Sequence, residues 1–153
     1  MAQEQLLLIF NALKGLEVSV SNLYGAFSEK TEGEDKVFWE SLRKAELTHV
    51  KHINTIIDYI TNNPDSFIAG KPVTLKAVSM VTESIRRHTV RTQSGEIPPL
   101  KFITLALDVE CSLLESKYHE IAKTSDPRFN ALTTIIMADT RAHAEMVRNR
   151  KRT

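Results

Sequence analysis

The segment Glu46-Leu-Thr-His49 lies inside an apolar stripe that runs from Leu42 to Ile53, and it decides how the fold is interpreted. A spacing of three residues puts a carboxylate and an imidazole on one face of a helix, about one turn apart. An ionised carboxylate in an apolar core costs several kcal/mol or more unless a partner compensates it. The pair therefore predicts a helix whose buried face holds a positively charged partner.

Acidic residues recur at inward positions on each of four predicted helices. Glu17, Glu46, Glu110 and Asp139 all lie between apolar neighbours at helical spacing. His49 shares the face of Glu46 on the second helix, and His143 shares the face of Asp139 on the fourth. Four inward carboxylates with two imidazoles require matching positive charge, which a pair of metal ions supplies. Carboxylates with imidazoles and without a thiolate favour iron or manganese over structural zinc.

The pattern of apolar residues predicts two helical hairpins, at residues 4–61 and 100–150, joined by a long crossover at 62–99. The crossover holds four of the five prolines and a short apolar repeat typical of one extra helix. Asp126 followed by Pro127 is a typical helix start. The prediction is an all-α fold, a single domain over residues 1–153 built as an antiparallel four-helix bundle, with the crossover outside its core and no strand required.

The two hairpins form an internal repeat. The same separation, 29 residues, lies between Glu17 and Glu46 and between Glu110 and Asp139. Tyr24 and His49 are 25 residues apart, and so are Tyr118 and His143. A two-fold arrangement of hairpins would bring the inward carboxylates to a common centre.

Charge and cysteine content limit the classes of function. Twenty basic residues against 19 acidic ones give no electrostatic reason to expect nucleic acid or a membrane as partner. The only cysteine, Cys111, excludes an internal disulfide and an all-cysteine metal site, and it fits a cytoplasmic location. Cys111 is expected to be a buried structural thiol, and no stretch approaches the roughly 18 apolar residues of a membrane span.

The segment from Glu17 and Tyr24 through Glu46-Leu-Thr-His49 resembles the rubrerythrin branch of the ferritin-like superfamily. The resemblance implies a di-iron centre, with manganese as an alternative, in which Glu17 is a terminal ligand, Glu46 a bridging ligand and His49 a nitrogen ligand. It also implies a catalytic role for Tyr24 beside the ligands. Glu110 stands at the place of the second terminal glutamate.

The second hairpin departs from that family pattern. Thr140, not a glutamate, lies three residues before His143, and the nearest carboxylate is Asp139, four residues before it. Positions i and i+4 share a helix face, so Asp139 and His143 are predicted to bind one metal.

The resemblance implies an oxidoreductase of peroxidase or ferroxidase type that acts on peroxide or oxygen in iron metabolism or oxidative stress. Electrons would come from an external donor, such as a rubredoxin-type protein, because rubrerythrins carry a four-cysteine module that one cysteine cannot build. A homodimer or higher homo-oligomer is expected. Two alternatives stay open, namely a non-catalytic ferritin-like helical module with a degenerate metal site and a subunit of an iron-storage shell.

Overall fold

The computed structural model is mainly helical and describes residues 2–71, 73–113 and 117–151. The all-α prediction is confirmed. The elements in chain order are α1 (Ala2–Glu29), α2 (Gly33–Asn62), β1 (Ile68–Ala69), α3 (Leu75–Gln93), α4 (Phe102–Ser112), α5 (Tyr118–Ile121), β2 (Ala122–Lys123) and α6 (Pro127–Lys151), with 3₁₀ turns at Pro64–Ser66 and Pro99–Lys101.

Helices α1 and α2 form the predicted first hairpin and pack along their length. The turn between them is short, and Gly33 begins α2 with a φ of 62°, a conformation that glycine adopts without steric cost. Both inner faces repeat apolar residues at helical spacing. Those of α1 include Leu6, Leu13, Leu16, Val20, Leu23 and Phe27, and those of α2 include Leu42, Ile53, Ile56 and Ile60, all buried.

Helix α3 occupies the segment predicted as a crossover. Thr74 caps its first turn, because its hydroxyl accepts a hydrogen bond from the Ala77 amide at 3.0 Å. The helix packs against α1 and buries Val78 and Ile85, which belong to the hydrophobic core. This helix of 19 residues therefore contributes side chains to the hydrophobic core, and the prediction that the crossover lies outside the core is wrong here.

The third long helix, predicted from residue 100 to 123, is interrupted. Helix α4 ends at Ser112, and Leu113 is extended, with φ of −69° and ψ of 143°. Residues 114–116 lie outside the described part of the chain. The buried face of α4 carries Phe102, Ala106, Val109 and Glu110, whereas Ile103 and Leu107 are only partly buried.

A short antiparallel strand pair, which the sequence did not predict, joins the chain after α2 to the chain after α5. Ile68 pairs with Lys123, and Ala69 pairs with Ala122. The Gly70 amide then donates to the carbonyl oxygen of Ile121 at 2.8 Å. A Cβ at Gly70 would collide with the backbone carbonyl of Glu120, so only glycine allows this close approach.

Helix α6 begins where Asp126 and Pro127 predict. The Asp126 carboxylate accepts a hydrogen bond from the Arg128 backbone amide at 2.9 Å, which satisfies one of the free amides of the first turn. The Arg128 guanidinium also donates to this carboxylate, and these bonds hold the pKa of Asp126 below its usual value. Helix α6 packs on α2, α4 and α5.

Two sequence-based expectations need correction. Cys111 is exposed, so it is not the buried thiol that was expected. The segment Gln3–Glu29 is long and apolar enough to cross a membrane by length and composition alone. A core helix meets the same criterion, and the inner face of this one belongs to the hydrophobic core.

Candidate metal centre

Three buried glutamates from three helices lie close together with two histidines. Glu17 comes from α1, Glu46 and His49 from α2, Glu110 from α4 and His143 from α6. Glu17, Glu46 and His49 are fully buried. Glu110 is 4% exposed, and His143 is 7% exposed. Each occupies a position of the apolar stripe on its helix, so the packing of the helices places these polar groups inside the core.

Glu46 belongs to two groups of possible metal ligands at once. One group is Glu17, Glu46 and His49, and the other is Glu46, Glu110 and His143; within each group the ligand atoms lie within 4.8 Å of one another. Glu46 Oε2 lies 3.4 Å from His49 Nδ1, whereas Glu46 Oε1 lies 3.5 Å from His143 Nδ1. The two carboxylate oxygens therefore face different histidines, as a carboxylate that bridges two metal ions requires.

The buried carboxylates give this site a negative charge that needs compensation. Among the residues that the structure describes, no lysine or arginine is itself buried, whereas three glutamates are. Buried carboxylates that lie near one another must either take up protons or bind positive ions. Metal ions and histidine protons can both supply this positive charge, and they compete for the same atoms.

Asp139 fixes the orientation of His49. Its Oδ2 lies 3.3 Å from His49 Nε2. With Asp139 ionised, this contact is a hydrogen bond that the Nε2–H tautomer of His49 donates, because an ionised carboxylate only accepts. In the neutral ring the lone pair then lies on Nδ1, which is 3.4 Å from Glu46 and 3.8 Å from Glu17. This is the arrangement of a metal-binding histidine whose second nitrogen is held by a carboxylate.

The place of Asp139 therefore differs from the one predicted for it. Its carboxylate contacts His49, belongs to neither ligand group, and is 45% exposed. His143, its expected partner on α6, faces Glu46 instead. Thr140, three residues before His143, donates its hydroxyl proton to the Ile136 carbonyl oxygen at 2.9 Å, a bond within its own helix.

Two tyrosines donate hydrogen bonds to the outer glutamates, Glu17 and Glu110, which each belong to only one ligand group. Tyr24 on α1 donates to Glu110 on α4 at 2.5 Å, and Tyr118 on α5 donates to Glu17 on α1 at 3.0 Å. Both tyrosines are fully buried. Each hairpin thus supplies a phenol to the glutamate of the other, which is the two-fold relation that the internal repeat predicts.

The structure brings five of the six predicted ligands together, along with Tyr24. The sequence analysis did not assign Tyr118 to the site, although the repeat contained the signal, since Tyr118 precedes His143 by the interval that separates Tyr24 from His49. Cys111 follows Glu110 but is exposed, so the centre offers only oxygen and nitrogen ligands. Such a donor set fits iron or manganese.

No family model, curated protein or solved structure matches the chain.

Proposed function

We propose that this protein is a ferritin-like four-helix-bundle protein that binds a di-iron or di-manganese centre and acts in iron, peroxide or oxygen metabolism. The observation that carries the proposal is the place of Glu46, whose two oxygens face two separate imidazoles inside the core. A ferritin-like bundle places one carboxylate on each of two helices and a carboxylate with a histidine on the others. The reciprocal tyrosines add a two-fold relation between the hairpins.

The residues divide into two binding sites that share one bridge. Glu17 and His49 would hold one ion, Glu110 and His143 the other, and Glu46 both. Tyr24 and Tyr118 hold the outer carboxylates in place, and Asp139 sets the proton position on His49. A bound metal pair would supply the Lewis acidity and the electrons for reaction with peroxide or oxygen.

A second candidate is a helical module of the same fold whose centre no longer works as a redox site. The observation in its favour lies on α6, where Thr140 stands three residues before His143 and bonds to its own helix. Among the described residues, Glu46 is the one carboxylate that belongs to both ligand groups, where the family pattern has two such carboxylates. An iron-storage subunit is a third candidate, and it shares the metal-binding step with the first.

Metal analysis of the protein purified without chelator tests the proposal. We expect close to two iron or manganese ions per chain in the wild type and a loss of both in Glu46→Gln. Glu40→Gln is the matched control, because Glu40 lies on the same helix but pairs with Arg43 at the surface. Helical content measured by circular dichroism shows whether each variant folds. A folded wild type that binds neither metal would contradict the proposal and favour the second candidate.

A further inference from the structure

A group of aromatic rings extends from the metal centre towards the surface. The Tyr24 phenol, which donates to Glu110, has its ring centroid 5.7 Å from that of Trp39, with 31° between the ring planes. Trp39 is the only tryptophan of the chain and is 2% exposed. Phe27 and Phe102 stack beside these rings at a centroid distance of 4.2 Å and exclude water from the contact.

The far side of Trp39 reaches a surface depression. This depression has a volume of about 390 Å³, and Trp39 and Phe38 form part of its wall together with Pro99, Ile103 and Arg150. One residue, Trp39, therefore contacts both a tyrosine bonded to the centre and a cavity open to solvent. The side chains of tyrosine and tryptophan can give up one electron under biological conditions, whereas phenylalanine cannot.

We propose that Tyr24 and Trp39 form the route by which single electrons pass between the buried centre and an external one-electron donor protein at this depression. The inference rests on the proposed function, which places a redox-active metal pair beside Glu110. Tyr118 has the same burial and a similar bond to Glu17, but it lies on α5, in the other hairpin.

Tyr24, Glu110, Trp39 and the donor protein together account for each proton and electron of the transfer step. When Tyr24 gives an electron to a metal pair that peroxide or oxygen has oxidised, its O–H bond breaks and the proton passes to Glu110 Oε1, which lies 2.5 Å away. The other oxygen of Glu110 would hold the metal. Trp39 replaces that electron, the proton returns from Glu110 to Tyr24, and the oxidised indole is reduced by the donor protein. Each cycle thus moves one electron inward and leaves both side chains in their starting state.

Pulse radiolysis of the metal-free, full-length protein tests the contact between the two rings without any metal. Azide radicals would remove one electron from Trp39, whose N–H proton passes to water. We expect the absorption of the indolyl radical to decay as that of a phenoxyl radical rises, at a rate independent of protein concentration. Tyr24→Phe should abolish this transfer, and the matched Tyr118→Phe should keep it. Transfer that survives in Tyr24→Phe would overturn the route.

A second measurement separates this inference from the proposed function. In metal-loaded protein, Trp39→Phe should lose the fast re-reduction of the centre by an external one-electron donor while the metal content stays that of the wild type. A wild-type rate in Trp39→Phe overturns the route and leaves the proposed function intact. Failure of the wild type to bind metal overturns the proposed function, and the role of the route with it.

Discussion

Glu46 and Asp139 show how different the roles of two neighbouring carboxylates are. Glu46 is fully buried and faces both histidines, so positive charge on either side stabilises its negative charge. Asp139 is half exposed and accepts a hydrogen bond from the outer nitrogen of His49. Solvent screens its charge, and its effect on a metal ion passes through the imidazole.

Replacing each of these carboxylates by alanine should give different metal stoichiometries. Glu46→Ala should lose both ions, because both ligand groups contain it. Asp139→Ala should keep two ions and weaken binding about 10- to 100-fold, the usual cost of removing a hydrogen-bond partner of a ligating histidine. Metal titration with calorimetry measures both. Loss of one ion in Asp139→Ala would instead identify Asp139 as a direct ligand.

The sequence predicts the first half of the centre better than the second for a local reason. Glu46 and His49 lie on one helix at a spacing that fixes their relation before any packing occurs. For Asp139, helical spacing selects the face but not which histidine it meets. That choice depends on how far α6 is displaced along α2, and this displacement follows from packing between distant segments. Asp139 consequently faces His49 rather than acting with His143.

At the scale of elements, the interruption between α4 and α5 explains an irregularity of the repeat. Tyr24 follows Glu17 by seven residues, but Tyr118 follows Glu110 by eight. One extra residue in a continuous helix would turn the side chain by about 100°. The extended conformation of Leu113 ends the helical register, and α5 starts a new one in which Tyr118 reaches Glu17. Apolar periodicity alone predicts one continuous helix because it contains no signal for such a break.

Gly70 should be essential for the placement of α5. Gly70→Ala should destabilise the protein by about 1–3 kcal/mol, since the new Cβ meets the backbone of Glu120 and cannot move aside. Gly15→Ala is the matched control. No atom lies within 4 Å of a Cβ there, so alanine should stabilise α1 by about 0.5–1 kcal/mol. Denaturant unfolding monitored by circular dichroism measures both changes, and equal effects of the two substitutions would disprove this reading of the strand pair.

The cap of α6 should contribute a stability that depends on pH. The Arg128 side chain, followed by its amide, lowers the pKa of Asp126 in the folded protein. A carboxyl group with a depressed folded pKa stabilises the fold above its unfolded pKa, and this contribution is lost as pH falls through the folded value. Asp126→Asn should keep the cap but remove this dependence. Thermal melting points of both proteins over the acidic range should therefore converge as pH falls, and a constant difference would contradict the assignment.

The whole molecule joins two helical hairpins around one centre and adds α3 along α1. The internal repeat predicts that the two hairpins pack around a common centre. The sequence does not predict where α3 packs, because a helix in a proline-rich crossover can pack against more than one neighbour. The redox role that we propose is assigned to this centre and its aromatic neighbours. With one cysteine, the chain cannot build a four-cysteine iron site for itself.

A redox-active centre of this kind should therefore stop after one reaction unless electrons are supplied from outside. Pre-reduced, iron-loaded protein mixed with peroxide should show one stoichiometric oxidation of its iron, because two ferrous ions hold the two electrons that convert one peroxide to water. Adding a rubredoxin-type donor or excess ferrous ion should restore turnover. Rapid-mixing absorbance of ferric iron measures the first phase, and peroxide consumption measures the second. Sustained peroxide reduction by purified protein with NADH alone would contradict this prediction, because it requires a nicotinamide-binding motif that the sequence does not display.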